Sequence, residues 1–129
     1  MQLENGILII SIDVDVGSKE LGVINGGKND ANVNRYISEY SIGKIEERAI
    51  PLFVNLFNDL EIPVTFAVRG QLTEVDDSIL NILCRSSVRH DIAGHGYYHR
   101  RFGDLSDNEA EHELNMISVS MKKTGIIPR

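Results

Sequence analysis

The chain has 129 residues, 42% hydrophobic and 25% charged, with a formal net charge of -6, which bounds it to one modest core and a single domain over residues 1–129. An acidic balance without any Lys/Arg cluster gives no field for nucleic acid, so that partner is excluded. No stretch approaches membrane length and Met1 to Gly6 lacks the basic start of a secretory leader, so a cytoplasmic location is expected.

Ile7 to Ile12 is an unbroken, largely β-branched run, the pattern of a strand covered on both faces in a parallel sheet. It ends in Asp13-Val14-Asp15-Val16-Gly17. Side chains alternate along a strand, so Asp13 and Asp15 point to one side. As turn residues before a glycine they would be ordinary; as a pair they place two carboxylates in one site. Residues 17–44 are rich in Gly and Asn without a period and read as a lid beside that site.

From Ile45 to Leu60 a stripe of Ile45, Ala49, Leu52, Phe53, Leu56 and Leu60 predicts an amphipathic helix, with Pro51 kinking it or marking its first turn. Pro63 to Val68 is the second strand, and Arg69 at its end is placed to meet an acidic group, Asp13 being the candidate. Asp76 or Asp77 caps a helix over Ile79 to Arg85, in which the only cysteine, Cys84, reads as a small buried hydrophobe. Asp91 to Gly94 is a short third strand. A last helix begins at the capping box Ser106-Asp107-Asn108-Glu109, carries the stripe Ala110, Leu114, Ile117 and Met121, and stops at Gly125. Strand and helix alternate, which implies an α/β fold with a parallel sheet and right-handed crossovers, its chemistry gathered beyond the carboxyl ends of the strands.

At the end of the third strand stands His95-Gly96-Tyr97-Tyr98-His99. Two histidines four apart come together if the backbone makes a helical turn, at about 5–6 Å between Cβ atoms. Two neutral imidazoles and one carboxylate are the ligand set of an open catalytic zinc site, and the second carboxylate is left to serve as general base. Spacing alone does not decide which aspartate takes which role. His90 could orient a ligand from behind, though packing is the plainer role; of Tyr97 and Tyr98 one is expected to pack inward, leaving an aromatic face beside the site.

Asp13-Val14-Asp15 after a strand, the stretch Ile62 to Gln71, and His90 to His99 together resemble the polysaccharide deacetylase family, the NodB-homology domain of carbohydrate esterase family four. The resemblance implies a partial, distorted (β/α) barrel with later strands missing. It implies Asp13 as catalytic base, Asp15, His95 and His99 as ligands of a divalent metal, most often zinc, and an N-acylated carbohydrate as substrate losing an acetyl or similar acyl group. The pattern departs in three ways: a residue separates the two aspartates, Gly96 stands where Ser or Thr is usual, and the later motifs, with the catalytic acid histidine, have no counterpart. Either a truncated piece of a longer protein or a chain that covers its open sheet edge by homo-oligomerisation is therefore expected. Two rivals stand beside it: a non-catalytic metal-binding or interaction module, and a haloacid dehalogenase-type phosphatase with Asp13 as nucleophile, Asp15 as acid/base and magnesium as its ion.

Overall fold

The computed structural model describes residues 6–15, 39–100 and 102–126. The expected lid falls largely outside these residues; its final part, Glu39–Lys44, is helix α1. The order continues through a wide π-helical turn Ile45–Ala49, α2 Ile50–Asp59, α3 Gly70–Val75, α4 Ser78–Cys84 and α5 Asp107–Lys123, interleaved with strands β1 Ser11–Val14, β2 Thr65–Val68 and β3 Asp91–Gly94.

The three strands form an open parallel sheet in the order β1-β2-β3. Their ends are level: Val14 lies opposite Val68 and Val68 opposite Gly94. Parallel neighbours need a crossover, and here helices make both.

Among the described residues the helices of the core pack on one face of the sheet. The strand residues of the core are the even-numbered Val14, Phe66 and Val68, with Ile10, Ile12 and Ile92 packed against them. They meet Ile50, Val54 and Phe57 of α2, Ile79, Leu80 and Leu83 of α4, and Ile117 and Met121 of α5. The opposite face carries Ser11, Asp13 and Asp91, all exposed. The expectation that the first strand is covered on both faces is therefore corrected: pairing covers only Ser11–Val14, and Ile7, Leu8 and Ile9 are 77%, 75% and 83% exposed.

The buried sides of two helices depart from the expected apolar stripes, most in α2 and only in part in α5, where Ile117 and Met121 are buried as expected. In α2, Ile50, Val54 and Phe57 are buried while Leu52 and Leu60 are exposed. The π-helical turn before it shifts the phase: Ile50 N–H reaches back five residues to the Ile45 carbonyl, and Pro51, which has no N–H, follows in the first turn of α2. In α5 the buried side is Glu113, Ile117, Ser120 and Met121, and Leu114 is exposed. Cys84, expected in the core, is exposed, because Ile79, Leu80 and Leu83 occupy the packed side of α4.

The ends of α5 follow the sequence. The Glu109 carboxylate accepts from the Ser106 N–H at 2.9 Å and from its hydroxyl at 2.7 Å. At the other end Gly125, with φ +82°, lets its own N–H reach the Lys122 carbonyl and that of Ile126 reach Met121. No helix among the described residues is long and apolar enough to cross a membrane.

Candidate metal centre

Level strand ends put the next residue of each chain segment side by side: Asp15 after β1, Arg69 after β2 and His95 after β3. Backbone bonds carry the ladder past the strands, from Arg69 N–H to the Val14 carbonyl at 3.2 Å and from His95 N–H to the Val68 carbonyl at 2.9 Å. These anchors set where three side chains leave the sheet.

His99 joins them by a bent loop rather than a helical turn. The backbone after His95 turns at Gly96, φ +68°, and again at His99 itself, φ +59°. The left-handed region costs nothing for glycine but is uncommon for a histidine, which is held there by its surroundings. The result is that the two rings lie 4.7 Å apart between centroids, with their Nε2 atoms 3.0 Å apart. His99 Nε2 is 3.5 Å from Asp15 Oδ2. Asp15, His95 and His99 each offer one donor atom, and these lie within 4.8 Å of one another.

Donors bound to one zinc ion at about 2.0–2.1 Å and tetrahedral angles sit about 3.3 Å from each other. Two of the three separations, 3.0 and 3.5 Å, bracket that figure, and the third, between Asp15 and His95, is within 4.8 Å. Two imidazoles and a carboxylate also suit a borderline divalent ion by donor type. The residues fit the group. Burial holds His99 below its ordinary pKa and His95 adds to this, against Asp15, which favours the charged form. The net direction keeps the ring neutral, as a ligand must be.

Asp13 stands apart from the triad. Its side chain is 63% exposed and its Oδ2 lies 3.7 Å from His95 Nε2. Asp15 is nearly buried, and its Oδ1 pairs at 3.3 Å with Nη1 of Arg69, whose side chain is wholly buried. The sequence offered Asp13 as partner for Arg69; the level strand ends give it Asp15 instead. Arg69 also donates to Gln71 Oε1 at 2.6 Å. Burial works against its charge, while Asp15 and Glu113 sustain it.

The remaining candidates divide. His90 precedes β3 and so lies at the far end of the strand from the triad; its Nδ1 accepts the Val64 N–H at 3.3 Å, and its ring stands edge-on to Phe66 at 5.2 Å. It packs rather than orients a ligand. Tyr97 is the tyrosine that turns inward, buried, with its hydroxyl donating to Glu74. Burial and that carboxylate push its phenol above the usual value. Tyr98 is half-buried, with its ring edge against Tyr97.

Sequence reasoning passed over Glu113. This α5 carboxylate, 1% exposed, accepts from the backbone N–H groups of Tyr97 at 2.8 Å and Tyr98 at 3.0 Å, and from Arg100 Nε at 2.7 Å. The signal was its spacing: Glu113 lies four residues before Ile117 and eight before Met121, on the buried side.

No family model matches the chain and no curated protein matches it. Among solved structures, a crystal structure from Mycobacterium smegmatis, of a protein provisionally described as a polysaccharide deacetylase, superposes with a TM-score of 0.71 at 20% identity. The match covers 93% of this chain and 40% of that one, so the chain spans two fifths of the length of its structural neighbour. This is a likeness of fold: the open three-stranded parallel sheet with its helices is consistent with part of a NodB-like fold.

Proposed function

We propose that the chain carries the metal-binding half of a hydrolase that removes an acetyl or similar acyl group from an N-acylated sugar. The observation that carries this reading is the convergence of Asp15, His95 and His99 beyond the carboxyl ends of the strands, the place where such folds keep their chemistry. Asp15, His95 and His99 would hold the ion, with zinc the best match to the donors. A divalent ion held there polarises an acyl carbonyl and eases loss of a proton from water.

The chain's own groups do the rest. Asp13, exposed and beside His95, accepts the proton of the attacking water as general base. Arg69 holds Asp15 from behind and balances its charge in a buried setting. Tyr98 is the aromatic left to meet a sugar ring. The phosphatase alternative leaves both histidines without a task, whereas here they meet the acidic pair.

The test has two parts. Metal content of the purified chain is measured for wild type and for Asp15→Ala, His95→Ala and His99→Ala, each expected to lose at least about 10-fold in affinity. Acetate release from N-acetylated oligosaccharides is then followed on the zinc-loaded chain and on Asp13→Asn, expected to retain zinc and to lose about 10²–10⁴-fold in rate. Wild-type metal retention in all three alanine variants ends the ligand assignment. Full zinc loading without acetate release in wild type favours a binding module instead.

A further inference from the structure

The loop between the two histidines is short of internal ties. Gly96 contributes no side chain, and its positive φ opens the bend. Tyr97 and Tyr98 are held instead from another element, by Glu113 of α5: Oε2 takes both of their backbone N–H groups, and Oε1 takes Arg100 Nε. Arg100 directly follows His99, so the carboxylate grips the chain on either side of that ligand.

A buried carboxylate is costly unless its lone pairs are met. If this position served only to join helix to sheet, an aliphatic residue would do, as Ile117 does one turn later against Gly94, where a Cβ would come within 2.5 Å of Ile117 Cγ2. A charged acceptor here has a use that packing does not supply. The three donors come from residues 97, 98 and 100, on both sides of His99, and two of them are backbone groups, so Glu113 holds backbone direction rather than a side-chain rotamer. Between these donors the chain turns at His99, with φ +59°, and its Nε2 lies 3.0 Å from that of His95; the Gly70 and Gln71 N–H groups hold the Gly96 and Tyr97 carbonyls on the other side of the loop.

We infer that Glu113 is a positioning residue for the metal centre: it shapes the loop so that the two imidazoles converge on the same point as Asp15. The inference rests on the reading of that triad as a metal site. Groups that orient ligands without touching the ion are worth about 10–100-fold in metal affinity.

Co²⁺ serves as the probe, because its visible spectrum reports ligand geometry as well as occupancy. The whole chain is titrated as wild type, Glu113→Gln, Glu113→Asp and Asn58→Ala, with backbone amide exchange read at Tyr97 and Tyr98. Asn58→Ala is the stability control: it removes an acceptor for the Ser86 hydroxyl and the Val88 N–H, both away from the loop. Glu113→Gln is expected to weaken Co²⁺ binding by about 10–100-fold, to alter the spectrum and to speed exchange at both tyrosine amides. Asn58→Ala is expected to lower the melting temperature with the Co²⁺ spectrum and affinity unchanged. If Glu113→Gln does not fold, Glu113→Asp decides, since it keeps the charge but withdraws it by one methylene; it is expected to show a smaller loss in the same direction. Equal Co²⁺ affinity and an identical spectrum in the folded Glu113 variant and in wild type overturn the inference while leaving the metal site standing. A wild-type chain that takes up no Co²⁺ removes the metal-site reading and this inference with it.

Discussion

His90 and His95 flank the same four-residue strand, yet only one of them stands among the acidic groups. His95 follows β3, where Asp13 and Asp15 also emerge; His90 precedes it, among Val64 and Phe66. Burial lowers the His90 pKa, and its Nδ1 must stay unprotonated to accept the Val64 N–H. The folded value thus lies below that of the unfolded chain, about 6.5, so in the interval between them the unfolded state binds more protons. Stability is complete above about pH 6.5 and is lost as pH falls through that interval. Glutamine can keep an acceptor for Val64 without titrating. Melting temperatures measured across about pH 5–7 are expected to fall less steeply in His90→Gln than in wild type, and parallel slopes would remove His90 from the account.

At the scale of elements, α5 explains both what the sequence revealed and what it hid. Its ends were legible because capping is local: Ser106 with Glu109, and Gly125, act within one turn. Its buried side was legible only in part: Ile117 and Met121 of the apolar stripe are buried, but a stripe looks for hydrophobes, and this helix also buries Glu113 and Ser120 while exposing Leu114. In α2 the difficulty was the reverse, since hydrophobic residues surround the helix and periodicity selects no side. The short α3 went unseen for a third reason: it opens on Gly70, a poor helix former chosen for proximity, where an added Cβ would meet Tyr97 at 2.9 Å and Ile117 Cα at 3.3 Å. The same closeness at Gly94 yields a prediction. A methyl placed 2.5 Å from Ile117 Cγ2 forces the Ile117 side chain or α5 itself to shift, so Gly94→Ala is expected to cost about 1–3 kcal/mol in urea unfolding. In an Ile117→Ala background the offending atom is gone and the penalty should shrink, a coupling that a double-mutant cycle reads directly. A cost below about 0.5 kcal/mol in the native background would mean that the Ile117 side chain does not press on Gly94 as closely as this.

Over the whole molecule, the strand order and the level strand ends bring together residues some eighty positions apart in the chain. The convergence of Asp15 with His95 and His99 was foreseeable, because alternating strands and helices imply parallel strands whose ends share one side. The pairing of Arg69 with Asp15 was not, because it depends on register, and a shift of two residues would have offered Asp13. Asp15 leaves β1 and the histidines leave β3, the two outer strands of the described sheet, with β2 between them. An ion held by all three would tie the outer strands across the central one, a link that the unfolded chain cannot make. Binding to the folded state alone adds RT ln(1 + [L]/Kd), about 2.7 kcal/mol at a hundredfold excess over Kd, which for a chain of this size is of order 10 °C in melting temperature. Zinc is therefore expected to raise the melting temperature progressively with its concentration and a chelator to reverse the rise. Asp15→Ala, which severs the tie to β1, should abolish most of the response while leaving the two histidines in place. A zinc-dependent rise of equal size in Asp15→Ala would show that the ion joins only the two histidines of one loop and that the outer strands are not coupled through it.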